Sequence, residues 1–249
     1  MRKSGNFRTA RSVIDTTNPH ARIAICLCLD TSSSMEGHAI NELNAGIRSF
    51  IKTISESGAA KYAADIAIVT FGNGGAQCVQ NFAQVYDNDS NLKNFPSLKA
   101  GGKTLMGEAV NIALDMIESR RLDYKSVGIQ HYHPWLILMS DGISTGNVKE
   151  LDRAAERACK LVNDNKLVVF PIVIGHDSGE TGVKSLARFS PKAEPKRLVG
   201  LNFKEFFVWL SESTEKVSTE QKASGSSAFD YTDLPAASKW SSNGDWRLL

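Results

Sequence analysis

Between Arg22 and Asp30 the chain runs through Ile23, Ala24, Ile25, Cys26, Leu27, Cys28 and Leu29 without a polar residue. An apolar run this short, closed at both ends by charge, has no side to offer water. It therefore predicts a strand buried on both faces. Such a strand needs a layer of structure above it and another below, which points to a sheet covered by helices.

The following residues supply those layers. From His38 to Ser55, Ile40, Leu43, Ile47, Phe50, Ile51 and Ile54 recur at spacings of three and four, the period of an amphipathic helix. Two strands are expected at 62–71 and 76–85, joined across Gly72, Asn73, Gly74 and Gly75, a composition that signals a tight hairpin and an antiparallel edge. Beyond Gly101 and Gly102, Met106, Val110, Ala113, Met116 and Ile117 mark a second helix. A strand at 135–139, a helix at 148–162 and a strand at 167–174 repeat the alternation. A short helix at 183–189, a strand at 197–199 and a helix at 203–217 end it. The predicted fold is α/β and doubly wound, Rossmann-like, with a mostly parallel sheet, helices on both faces and one antiparallel edge strand.

At 249 residues and 42% hydrophobic, the chain can build one full-sized core. The expected division is a basic arm at 1–21, one domain at 22–218, and a flexible tail at 219–249, rich in Ser, Ala, Lys and Gly. The aromatics Tyr231, Trp240 and Trp246 in that tail suit either a docking peptide or a strap over the domain. The 29 basic and 27 acidic residues give a net charge of +2, too small for general attraction to nucleic acid or membrane. Only Arg2, Lys3, Arg8, Arg11 and Arg22 are locally dense, and they read as a solvated arm. No stretch approaches the roughly 20 apolar residues of a membrane span, and no apolar run follows the basic arm as in a secretion signal. Cys26 and Cys28 read as small buried hydrophobes and Cys78 and Cys159 as isolated thiols, so the expected setting is the reducing cytoplasm.

Open α/β sheets bind ligands at the carboxyl ends of their strands. Three such places carry oxygen ligands: Asp30-Thr31-Ser32-Ser33-Ser34 after the first strand, Thr104 before the second helix, and Asp141-Gly142 after the strand at 135–139. Alternate spacing of Asp30, Ser32 and Ser34 in a turn can aim three side chains at one point. Mg²⁺ or Mn²⁺ takes such oxygen donors and tolerates several waters. Neutral hydroxyls would leave much of the ion's charge available to an external carboxylate.

The segments Asp30-x-Ser32-x-Ser34-Met35, Gly101-Gly102-Lys103-Thr104-x-x-Gly107-x-Ala109 and Ser140-Asp141-Gly142 resemble the metal-ion-dependent adhesion site of von Willebrand factor A domains. The resemblance runs from about Arg22 to Val217, and within the family it is greatest to bacterial TerY-like proteins of tellurite resistance and stress. It implies that Ser32, Ser34 and Thr104 bind the metal directly, and that Asp30 and Asp141 act directly or through water. It further implies that a protein partner supplies an Asp or Glu, and that the partner is a protein kinase or phosphatase of the same system. Ser33 stands where the family often has Gly, and Lys103 separates Gly102 from Thr104.

Other readings compete for the same residues. Serines, Thr104 and Asp141 beside helix starts also suit plain N-caps. His131 and His133 would share one face of a strand, as zinc ligands do, but no third ligand lies near; His176 and Asp177 follow another strand and suit the rim. Asp30 could serve as a phosphatase nucleophile of the haloacid dehalogenase type, the alternative function, but the acid two residues on is Ser32. No Gly-x-Ser-x-Gly elbow surrounds Ser32 or Ser34. The reading reached is a non-enzymatic, metal-dependent adaptor.

Overall fold

The computed structural model describes residues 14–86, 95, 97–141, 143–174, 179–198, 200–220, 231, 234–237 and 241. Six strands form one sheet in the order β3-β2-β1-β4-β5-β6. These are β1 (Ile23–Thr31), β2 (Ala64–Gly72), β3 (Gly75–Gln84), β4 (Trp135–Ser140), β5 (Val168–Val173) and β6 (Lys196–Arg197). The helices are α1 (His38–Glu56), α2 (Ala60–Ala63), α3 (Met106–Ser126), α4 (Val148–Asn163), α5 (Gly179–Ala187) and α6 (Phe203–Glu220). β1 pairs in parallel with β2 on one side and β4 on the other, and only β3 runs antiparallel, as a hairpin edge.

The apolar run of β1 is divided by the pleat of the strand. Ile23, Ile25, Leu27 and Leu29 enter a core shared with α1 and α6, whereas Ala24, Cys26 and Cys28 enter the opposite core with α3 and α4. All seven are at most 1% exposed, so neither face of this strand meets water. Close helix approach needs small residues: a Cβ on Gly46 of α1 would lie 2.5 Å from Phe207, and one on Gly107 of α3 would lie 2.5 Å from the Leu151 amide of α4.

Several boundaries differ from the sequence expectation. Tyr62 and Ala63 belong to the short α2 and not to β2, because a remote acid organises that turn: the Glu215 carboxylate of α6 accepts from the Ala60 amide at 3.0 Å and from the Ser57 hydroxyl. β6 ends at Arg197; Leu198 instead bridges Ser241, and Val199 lies outside the described residues. Arg22, counted with the basic arm, is fully buried, and its guanidinium donates to the carbonyls of His20, Asp15 and Asn18. Arg2, Lys3, Arg8 and Arg11 lie outside the described residues.

The expected tail also needs amendment. α6 continues through position 219, and Tyr231, Leu234 and Ala237 pack into the α1/α6 core. The Tyr231 hydroxyl donates to the Val169 carbonyl at 3.1 Å, and the Trp209 indole donates to the Pro235 carbonyl at 2.7 Å. Tyr231 is thus a strap, one of the two roles open to it; Trp240 and Trp246 lie outside the described residues.

Candidate metal centre

Strand order reverses between β1 and β4, because β1 connects onward to β2 on one side and its other neighbour arrives from later in the chain. The carboxyl ends of these two strands therefore open a crevice where no connection covers them. Asp30 and Ser140 stand there, next to each other across the pair.

Asp30 is fully buried, and both its oxygens are engaged: Oδ1 accepts from the Ser32 amide at 2.8 Å and Oδ2 from the Ser140 hydroxyl at 2.6 Å. Burial, the largest effect, pushes its carboxyl from the ordinary 3.8 up to about 6. The hydrogen bonds from Ser140 and Ser32 oppose that rise, and the nearby charge of Asp141 adds to it.

After Thr31 the chain turns through a single 3-10 turn, Ser33–Met35, before Gly37, at φ +79°, redirects it into α1. This turn brings the Ser32 and Ser34 hydroxyls to 2.9 Å from each other. Ser32 is nearly buried and Ser34 exposed, so the pair spans the step from interior to solvent. The loop before α3 is held against the same turn: the Gly101 amide donates to the Thr31 carbonyl at 2.9 Å and the Ser33 amide to the Gly102 carbonyl at 3.3 Å. Gly72 and Gly102 make this approach possible. A Cβ on Gly72 would fall 2.1 Å from the Thr31 carbonyl carbon, and one on Gly102 2.5 Å from the Gly72 carbonyl oxygen.

Thr104, 6% exposed, is coupled to the loop after β4. Its amide donates to Thr145 Oγ1 at 2.9 Å, and its carbonyl accepts from the Thr145 amide at 3.0 Å and the Ser144 hydroxyl at 3.2 Å. Asp141 begins that second loop and accepts from the Ile143 amide at 3.3 Å. Glu108 of α3 supports it further, accepting from the Asn147 amide at 3.4 Å. Gly142, His176 and Asp177 lie outside the described residues.

None of the five residues caps a helix. Ser32 precedes the 3-10 turn without a side-chain cap bond, Gly37 precedes α1, Leu105 precedes α3, and Asn147 caps α4 through the Lys149 amide. The hydroxyls are therefore not consumed by helix amides. Their separation also suits a small cation: adjacent ligands of an octahedron with bonds near 2.1 Å stand about 3.0 Å apart, against 2.9 Å between Ser32 Oγ and Ser34 Oγ. The donor set, three hydroxyls and two carboxylates, is all oxygen, as Mg²⁺ and Mn²⁺ prefer.

Ser140 belongs to a segment that carries the family resemblance, though nothing in the sequence assigns it a role of its own; Thr145 and Glu108 are supporting residues that the sequence does not mark. Ser140 had a signal, a hydroxyl ending one apolar strand beside an Asp ending another. Thr145 and Glu108 had none. His131 and His133 precede β4, outside any strand; His131 bonds the Tyr132 carbonyl at 3.1 Å, and burial, chiefly, lowers its pKa. Among the described residues no three His, Cys, Asp or Glu side chains converge as a metal site, and all four cysteines are free thiols.

No curated protein matches the sequence significantly. Among solved structures, the pilus adhesin SpaC of Lactobacillus rhamnosus GG in its open conformation superposes with a TM-score of 0.61 at 13% identity, over 92% of this chain and 36% of the adhesin. The vWF domain of the type V pili tip protein Mfa5 of Porphyromonas gingivalis gives 0.60 at 12% identity, over 84% of this chain and 99% of that one. Proximal thread matrix protein 1 of the mussel byssus, solved with a zinc-occupied MIDAS motif, gives 0.52 at 13% identity, over 78% and 48%. The chain thus spans about a third of the SpaC chain and about half of the byssus protein. The sequence model of the von Willebrand factor type A domain matches residues 24–203, most of the described fold, and the chain belongs to that family.

Proposed function

We propose that this chain is a metal-dependent protein-binding domain. Ser32, Ser34 and Thr104 hold Mg²⁺ or Mn²⁺, Asp30 and Asp141 neutralise and orient its surroundings, and an Asp or Glu of a protein partner completes the coordination. The observation that carries this reading is the pair of serine hydroxyls, 2.9 Å apart and bonded to no helix amide, in the turn whose Ser32 amide donates to the buried Asp30 carboxylate. The ion would supply a Lewis-acidic position for an oxygen ligand from outside. The zinc in the byssus protein supports a divalent ion in this kind of motif.

The rim describes the partner. Ile143 and Val148 are 52% and 67% exposed on either end of the loop that follows Asp141, and Lys103 is exposed beside Thr104. A partner segment carrying an acidic residue next to apolar ones fits that surface. The TerY-like resemblance extends the proposal to a protein kinase or phosphatase of a bacterial stress or tellurite-resistance system, acting in the cytoplasm. Among the described residues no helix is long and apolar enough to cross a membrane.

A phosphatase using Asp30 as nucleophile is disfavoured by geometry. Both of its oxygens are occupied and the carboxyl has no exposed surface, so a substrate phosphorus has no line of approach.

The test is calorimetric titration of chelator-treated protein with Mg²⁺ and Mn²⁺, beside the Ser32→Ala/Ser34→Ala variant. Saturable binding by the parent and none by the variant is expected. Equal binding by both would place the ion elsewhere. A pull-down from bacterial extract with Mg²⁺ or chelator then asks whether a kinase or phosphatase is retained only with metal.

A further inference from the structure

We infer that a second ligand site, for a phosphate-bearing anion, lies at the opposite end of the molecule from the metal centre. A cleft of about 440 Å³ opens between the C-terminal halves of α3 and α4. Arg121 stands fifteen residues into α3, so this cleft lies about 20 Å along the helix axis from Thr104 and its neighbours. Its volume falls in the range of small-ligand sites, about 300–1,000 Å³.

The charges of the cleft do not cancel. Five cations line it, Arg121, Lys125, Arg157, Lys160 and Lys166, against Glu118 and Asp164. Those two carboxylates are already engaged. Arg157 Nη2 reaches Glu118 at 2.9 Å and Asp115 at 2.6 Å, and Lys166 Nζ reaches Asp164 at 3.0 Å. Among the described residues, Arg121, Lys125 and Lys160 have no carboxylate within salt-bridge distance. Arg121 Nε is buried with no hydrogen-bond partner, and desolvation lowers the affinity of its guanidinium for its proton, against a weaker opposing pull from Glu118, which Arg157 already bonds. The positive field reaches the neighbouring imidazole of His131, whose pKa Arg121 and Lys125 help burial to lower.

Cations at helix C-termini ordinarily answer the helix dipole, and that accounts for Lys125 and Lys160. It does not account for Arg121, which lies more than a turn from the end of its helix with a buried, unsatisfied N–H. A guanidinium edge flanked by two free ammonium groups suits a compact dianion, and phosphate offers both the charge and the paired oxygens that Arg bonds two at a time. A carboxylate supplies half that charge.

The experiment titrates the full chain, in chelator to silence the metal centre, with pyrophosphate, a phosphoserine peptide and citrate. Parallel titrations use Lys125→Glu/Lys160→Glu and Ser32→Ala/Ser34→Ala. Saturable binding of pyrophosphate or of the peptide, weakened at least about tenfold by the charge reversal and untouched by the serine substitutions, is expected. The tighter of these two ligands tells whether the phosphate comes free or on a protein side chain. Citrate binding as tightly as either would overturn the assignment to phosphate. Loss of binding in the serine variant, indifference to charge reversal, or no binding at all would overturn the site. Both reversed lysines are exposed, and a thermal melt of the variant confirms that it is folded.

Discussion

Asp30→Asn should make the metal-free protein more stable while removing its response to magnesium. Asp30 has no exposed surface, and burial raises its carboxyl from 3.8 to about 6. A group whose folded pKa is raised binds its proton more tightly folded than unfolded. Its stabilising contribution is complete below pH 3.8 and is lost as pH rises through about 6. Two units at 1.36 kcal/mol each make the cost of the ionised carboxylate at neutral pH about 3 kcal/mol. Asn removes that charge and keeps an oxygen for the Ser32 amide, while Ser140 must turn from donor to acceptor, which offsets part of the gain. For a chain of this size, the remainder corresponds to a melting temperature higher by about 5–10 °C. The assay is scanning calorimetry in chelator at pH 7.5 and pH 4, then at pH 7.5 with Mg²⁺. The variant should lead at pH 7.5, lose its lead at pH 4, and fail to gain from Mg²⁺, whereas the parent should gain about 2.7 kcal/mol with ligand at a hundredfold of its Kd. A variant that melts below the parent in chelator at pH 7.5, or a difference that ignores pH, would refute the argument that buried charge is held ready for a cation.

Gly107→Ala should cost about 1–3 kcal/mol in urea unfolding, because its Cβ would stand 2.6 Å from Leu151 Cα and force α3 from α4; an unchanged midpoint would show that the helices yield freely. Arg120→Leu strands the buried Asp65 carboxylate, which now takes 2.5 and 2.6 Å bonds from Arg120 and a 2.5 Å bond from the Tyr124 hydroxyl, so about 3–5 kcal/mol should be lost. A loss below about 1 kcal/mol would mean that the pair behaves as a solvated one. Tyr231→Ala should lower stability by about 3 kcal/mol if the strap belongs to the core, and Tyr231→Phe by about 1 kcal/mol, read by the same unfolding curves. Equal stability of all three proteins would return this segment to the status of a loose tail.

What could be read in the sequence was set by local chemistry. The apolar run of β1 admits one placement because no residue in it tolerates water, and once β1 is central the helices around it follow from their three-and-four spacing. Asp30, Ser32, Ser34, Thr104 and Asp141 drew attention for a related reason: Asp30 and Asp141 stand where apolar strands end, and the three hydroxyls follow in the loops at that same edge of the sheet. The contacts that the sequence leaves open act across long separations. Glu215 organises the start of α2 from α6, Arg22 is held by backbone carbonyls, and Tyr231 reaches the Val169 carbonyl from beyond α6. None has a periodic or positional signature, because its partner is chosen by the folded shape and not by its neighbours in sequence. The cleft at the far ends of α3 and α4 belongs with them. Arg121, Lys125 and Lys160 look in sequence like ordinary solvated charges on separate helices, and their carboxylate shortage exists only once Arg157 and Lys166 have taken the acids between them.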